Sequence, residues 1–253
     1  MSNLAELYRG LGSSDVPMLS RPPHIRSYLS DMDNMNTEER QAALAYQSSL
    51  FYVLSALFHQ CIYRARLKYQ AQTQDTLSPP DFLTSVNVVS TPKGIVDLPP
   101  TYFPNNVLGT YSSFQHDLLA NGPLWRIAKQ LHDMIRSVFT TTNEIKQTIH
   151  WVAAQPDKRQ ITSVFRHGNG SLMMSSLAKF NMHGGTEFVE GEKPLIVYPF
   201  TSMSFVDGMG LVLPTEERGT GALDVYMVLS KPLWEILEGD EQLRRFSSEW
   251  SGK

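Results

Sequence analysis

Disulfides are out of reach for this chain, which carries one cysteine, Cys61, in 253 residues. A lone thiol among apolar neighbours fits a reducing compartment and a structural place in a core. Positive charge is scarce too. Lys and Arg number 22 against 25 Asp and Glu, for a formal net charge of −3, and a chain with no basic surface offers no footprint for nucleic acid and no charge-driven hold on a membrane. Long apolar runs are missing. The longest, Leu50 to Phe58, gives way to His59 and Gln60, well short of the roughly 20 residues that a helix needs to cross a bilayer. The opening MSNLAELYRGLGSSD lacks the charged, apolar and small-residue succession of a secretory signal, so a cytoplasmic chain is expected. No HxxxH, CxxC or paired carboxylates occur at ligand spacing, which leaves a metal without support. Neither Gly168-Asn-Gly170 nor Gly208-Met-Gly210 leads from a strand into a helix with phosphate-loop spacing.

What is present is an ordinary globular composition, 42% hydrophobic and 19% charged, enough for one large or two small domains. A short helix is expected over Asn3 to Arg9 and a loop from Gly10 to Pro23, where glycine, serine and proline collect. Thr37 offers an N-cap, with Glu38 and Glu39 in the first turn and Leu44, Leu50, Val53, Leu54 and Leu57 at helical spacing, so a long or broken helix should end near Lys68. A loop from Gln70 to Pro80 precedes a strand over Phe82 to Val89. Ile127, Leu131, Ile135 and Val138 form one apolar stripe and predict a helix over Leu124 to Phe139, followed by another over Asn143 to Val152. The last third changes to short strand-like segments, Ser171 to Phe180, Leu195 to Tyr198, Leu211 to Leu213 and Leu223 to Leu229, with a closing helix over Pro232 to Glu238. Helices followed by such strands predict an α/β layered domain, helices packed on a mixed or antiparallel sheet. Residues 37–253 are read as that domain and 1–36 as a linker or crossover segment. Cys61 reads as structural, Asn105 and Asn106 as turn residues, and Asp207-Gly208 as a turn that opens the last strand pair. The sequon Asn169-Gly-Ser171 has no role in a cytosolic chain.

Four segments, in order, resemble the BAHD acyl-CoA-dependent O-acyltransferases, most of all their fungal secondary-metabolism branch. LSALFHQCIYRARL at Leu54 to Leu67 is similar to the family helix that reads like LSALIWRxITRARL. LPPTYFPNNVLG at Leu98 to Gly109 looks like LPPxYxGNxVxG, with Pro104 for a glycine, which in the family turns into the next helix. SSLAKFNMH at Ser175 to His183 stands where the family has TSWxRxPxxxxDFG, with Leu177 for tryptophan and Lys179 for arginine. VDGMGLVLP at Val206 to Pro214, then Gly221 to Leu229 and Pro232 to Leu237, matches the family's closing strand, turn, strand and helix. The family's DFGWG pentapeptide is degenerate here, around Glu187 to Gly191.

The resemblance implies the C-terminal half of a chloramphenicol-acetyltransferase-like fold, acyl-CoA as co-substrate and a small-molecule hydroxyl acceptor. It implies donor or acceptor contacts at Ser175, Ser176 and Lys179. The family's catalytic histidine lies in an HxxxD(G) motif and takes the proton of the attacking hydroxyl. None of the seven histidines here precedes an aspartate by four residues. His183 precedes Glu187 at that spacing but falls in the degenerate region, so no catalytic residue is assigned. The opening NLAELYRG and Pro17 to Arg21 resemble the helix and loop that family members carry shortly after HxxxDG, and the base is therefore expected from a missing N-terminal half or a second chain. An inactive binding or regulatory module, or a fragment of a condensation-type domain, are the alternatives.

Overall fold

A computed structural model of the chain describes residues 50–87, 107–140, 142–163, 165, 167–178, 180, 183, 207–214 and 223–246. At its centre runs α1 (Leu50–Thr73). Val53, Ala56, Leu57, Cys61, Ile62 and Ala65 are buried together with the polar Ser55, His59, Gln60 and Arg66, so this helix has no wet face along its middle. A helix buried all round is packed all round, and α1 meets other helices and the sheet. It runs past the expected stop near Lys68 and ends where Gln74 takes a positive φ of 60°, a left-handed exit that closes a helix. Leu57 and Ile62 are buried, and Leu54 packs half-buried against the same core, as the apolar spacing requires.

The sheet has the strand order β2-β1-β3-β4-β5. It is built from β1 (Asp81–Asn87), β2 (Val107–Ser113), β3 (Leu172–Ser176), β4 (Met209–Leu213) and β5 (Asp224–Val228). Strands β1, β3 and β4 are parallel, and the flanking β2 and β5 are antiparallel to them, so the sheet is mixed. Between β2 and β3 come α2 (His116–Asn121), α3 (Leu124–Thr140) and α4 (Thr142–Ala154). After β5 come α5 (Lys231–Leu237) and α6 (Glu241–Arg244). Asp240 caps α6, accepting from the Leu243 amide at 2.9 Å, and lies 3.7 Å from the Cys61 thiol. Burial and that carboxylate both push the thiol's pKa up, so Cys61 is a buried, protonated core residue.

Val107–Ser113 departs from expectation. It is a strand paired along its whole length with β1, from Asp81↔Ser113 to Asn87↔Val107, where the resemblance led from Gly109 into a helix. Asn105, Asn106, Lys179, Leu195 to Tyr198 and Glu187 to Gly191 lie outside the described residues.

Alternation gives the sheet two unlike faces. Phe82, Val86, Leu172, Met174, Val212 and Met227 join the main core with α1 and α3, while Met209, Leu211 and Leu213 form a second small cluster with Leu177, Tyr226 and Val228.

The amino ends of the parallel strands are tied together. Arg66, 2% exposed at its side chain, reaches out of α1 to donate from Nη1 to the Ser171 carbonyl at 2.6 Å and from Nη2 to Asp207 Oδ2 at 3.3 Å. The other Asp207 oxygen accepts from the Ser230 amide at 2.9 Å. Gly208 sits under this node with φ +81°, and a Cβ there would come 2.6 Å from both Arg66 Nη2 and the Ser171 oxygen. Glycine is required on both counts. Asn169 bridges the loops before β1 and β3: its Oδ1 accepts from Ser78 N at 2.8 Å and its Nδ2 donates to Thr76 O at 2.9 Å. Gly170 N donates to Ser78 Oγ at 2.8 Å.

Candidate active site

Parallel strands point their carboxyl ends to one edge of a sheet, and it is outside such ends that open α/β sheets offer room for ligands. In this chain β1 ends at Asn87, β3 at Ser176 and β4 at Leu213. The antiparallel neighbours bring their first residues to the same edge, since Val107 pairs with Asn87 and Asp224 with Leu213. The edge therefore gathers Asn87, Ser176, Leu177, Pro214 and Asp224. His183 joins them from the chain that leaves β3, buried, with Nε2 3.2 Å from the Pro214 carbonyl oxygen.

Of the three residues singled out from the resemblance, Ser175 and Ser176 are half-buried on β3 and Lys179 is outside the described residues. The register separates the two serines. Ser175 stands beside Leu211, on the face of the second cluster, and Ser176 beside Val212, on the face of the main core. Adjacent strand residues point oppositely, so the hydroxyls serve different sides of the sheet at its carboxyl edge. Only ligand groups that wrap the end of β3 can meet both.

The strand end is well held. The Leu177 amide donates to the Val212 carbonyl at 2.7 Å, continuing the β3–β4 ladder one residue, and the Phe180 amide donates back to Leu177 O at 2.9 Å, closing a turn. Phe180 itself is 56% exposed, a large apolar side chain offered to whatever approaches this edge. Although Asp224 is exposed as a residue, partial burial of its carboxyl holds it above the usual carboxylate range, an effect that the nearby His183 imidazole opposes. Pro214 O can only accept, so His183 Nε2 carries the hydrogen. The sequence sets His183 beside Glu187 alone; that hydrogen bond and the proximity of Asp224 join residues distant along the chain and have no local signature.

Among the described residues no group of three or more His, Cys, Asp or Glu side chains could hold a metal ion. No helix among them is long and apolar enough to cross a membrane. The edge has the character of a site for an organic ligand: hydroxyls, an amide, a carboxyl and an imidazole beside Leu177, Tyr226 and Phe180. Such a mix of apolar wall and a few convergent polar groups is what small-molecule sites share.

A family model described as the Transferase family matches residues 26–243. Among solved structures the fold is similar to F. sporotrichioides TRI101 complexed with Coenzyme A and T-2, at 19% identity and a TM-score of 0.60, covering 89% of this chain and 48% of that one. It is also similar to F. graminearum TRI101 complexed with Coenzyme A and Deoxynivalenol, at 17% identity and a TM-score of 0.61, over 89% of this chain and 47% of that one. At such identities the likeness establishes the fold. The chain spans about half the length of these structures. Among curated proteins, none matches the chain.

Proposed function

The chain belongs to the Transferase family, and from that premise we propose that it is the C-terminal half of an acyl-CoA-dependent O-acyltransferase of the BAHD type, acting on a hydroxyl of a small-molecule secondary metabolite. The observation that carries this reading is the pairing of a family match over most of the chain with a fold that, in its solved neighbours, is bound to coenzyme A. The neighbours' other ligands, T-2 and deoxynivalenol, support a small hydroxylated acceptor. In this reading Ser175, Ser176 and Lys179 contact the acyl donor or acceptor, 37–253 is the C-terminal acyltransferase-like domain, 1–36 is a linker or crossover segment, and the cytoplasm of a fungus is the setting.

Chemically, the acceptor oxygen attacks the thioester carbonyl, its proton goes to a general base, and the coenzyme A thiolate leaves. No histidine of this chain has the aspartate partner of HxxxD. His183 is turned to a backbone carbonyl at 3.2 Å and is not the base in this reading. The base comes from an HxxxD segment outside this sequence, in the same polypeptide or a second chain. An absent base equally favours a second reading, an acyltransferase-like module that binds without turnover.

The two separate experimentally. Thiol release from acetyl-CoA is followed with a panel of hydroxylated acceptors, first with the chain alone and then with an HxxxDG-bearing segment fused or co-expressed. Positioned general-base catalysis contributes about a hundred- to ten-thousandfold, so the chain alone should be near background and the completed protein active. Continued silence of the completed protein supports the inactive module. Robust turnover by the chain alone that His183→Ala abolishes would sink the assignment of the base.

A further inference from the structure

Contacts made by the described residues after β3 include Leu177 N to Val212 O, Phe180 N to Leu177 O, and His183 Nε2 to Pro214 O. The first two are backbone bonds that any sequence could make. The third is specific to one side chain. His183 is 8% exposed, six residues beyond Leu177, and its ring lies against the end of β4, close enough for the imidazole to act on the Asp224 carboxyl at the start of β5. Asp224 is in register with Leu213, the residue before Pro214. One imidazole thus spans the exit of β3 and both strands of the β4–β5 hairpin.

Resting on the donor-site reading above, we propose that His183 is a positioning residue. Its Nε2–H···O=C bond to Pro214, beside Asp224, pins the turn carrying Ser176, Leu177 and Phe180 to the β4–β5 hairpin and so sets the geometry of the donor-binding strand end. It touches no reacting atom. A buried imidazole suits this task because the donor nitrogen is on a rigid ring, so holding it in one orientation costs little rotamer freedom compared with a long flexible side chain. Without it the Pro214 carbonyl loses this donor and the turn loses a side-chain tie near a sheet edge, where local opening is easiest.

The test uses the chain as it stands, with coenzyme A as the calorimetric probe and amide exchange as a readout that needs no ligand. His183→Ala should weaken coenzyme A binding about tenfold, the scale of one lost hydrogen bond, and raise exchange at the Leu177 and Phe180 amides about tenfold, with the amides of α1 unchanged. His183→Gln, whose side-chain amide can still donate to Pro214 O, should recover most of both. Equal affinity and equal exchange in His183→Ala overturns the proposal. So does a loss of protection spread through α1, or a failure of the glutamine variant to recover either signal, because the residue would then be a general core element. Absence of coenzyme A binding by the unmodified chain overturns the donor-site reading, and the positioning role with it. The exchange arm distinguishes that result from failure of the clamp.

Discussion

The two edges of the parallel strands are built on opposite plans. At the amino edge polar groups are spent on one another: Arg66 on Ser171 and Asp207, Asp207 on Ser230, Asn169 on Thr76 and Ser78. At the carboxyl edge Asn87, Ser176 and Asp224 sit half-buried or exposed, beside an exposed Phe180. The difference teaches how one sheet can be rigid and receptive at once. The amino edge carries charged side-chain ties that set the spacing of β1, β3 and β4, and the carboxyl edge, held by backbone bonds and His183, presents more of its side chains to solvent. Substitutions at the amino edge should therefore alter stability, and those at the carboxyl edge should alter binding.

The sharpest test is Gly208→Ala. A methyl at φ +81° meets Arg66 and Ser171 at 2.6 Å, so backbone strain and overpacking add, and a loss of about 3 kcal/mol is expected in denaturant unfolding. A change within experimental error would break the comparison. Asp207→Ala comes next. It leaves a buried guanidinium without its counter-charge, but Asp207 is itself 39% exposed at the side chain, which discounts the penalty to about 2 kcal/mol. Arg66 Nε already has no hydrogen-bond partner, so the guanidinium has little in reserve.

Acid should act on the same side of the molecule. His59 is fully buried between Phe82, the second residue of β1, and Phe114, just past the end of β2, with ring centroids 5.4 and 4.9 Å away. Neither ring nitrogen has a hydrogen-bond partner. Burial, with the Arg66 charge adding to it, lowers its pKa to about 3. The unfolded chain takes up this proton near the ordinary value of 6.5 and the folded chain does not. The contribution is therefore complete above about pH 6.5 and is lost as pH falls toward 3, at up to about 1.4 kcal/mol per pH unit. His59→Met should flatten the dependence of the urea midpoint on pH between 6.5 and 4; an unchanged slope would show that the imidazole is hydrated or paired. The smallest structural effect is expected at the other edge. Ser176→Ala should stay within about 0.5 kcal/mol of the unmodified chain while weakening coenzyme A binding a few-fold, and a variant that instead unfolded early would blur the division between the edges.

Legibility in the sequence tracked the range of the interactions. The α3 helix was readable because Ile127, Leu131, Ile135 and Val138 repeat at the helical period and all are buried. Strand β2 was not. Its exposed residues Val107, Gly109, Tyr111 and Ser113 alternate with half-buried ones, and a strand with so little apolar weight, outermost among the described strands, is defined by its partner β1, which no local window contains. Gly208 reads as a turn glycine, yet one of its two tightest neighbours, Arg66, is a charged residue on a helix, a type ordinarily assigned to the surface. The serines of β3 came only through resemblance to a family. That they face opposite sides of the sheet is a consequence of the pleat once β3 and its register with β4 are known. The link from His183 to Pro214 and Asp224 is a tertiary fact with no sequence signature.

The Asn169 bridge bears on how this protein ages. Asparagine followed by glycine is the pair most prone to cyclise, the glycine amide nitrogen attacking the side-chain carbonyl carbon with loss of ammonia. In the folded chain both participants are engaged, Asn169 Nδ2 on Thr76 O and Gly170 N on Ser78 Oγ. The loop before β1 thus shields the turn before β3 from a reaction written into its own sequence. Peptide mass mapping should find residue 169 still asparagine after long storage of the native protein and largely converted to aspartate or isoaspartate after the same time in denaturant. Equal conversion in both would mean that the bridge opens freely. The same two loops that space the strands also decide how long the molecule keeps its original covalent structure.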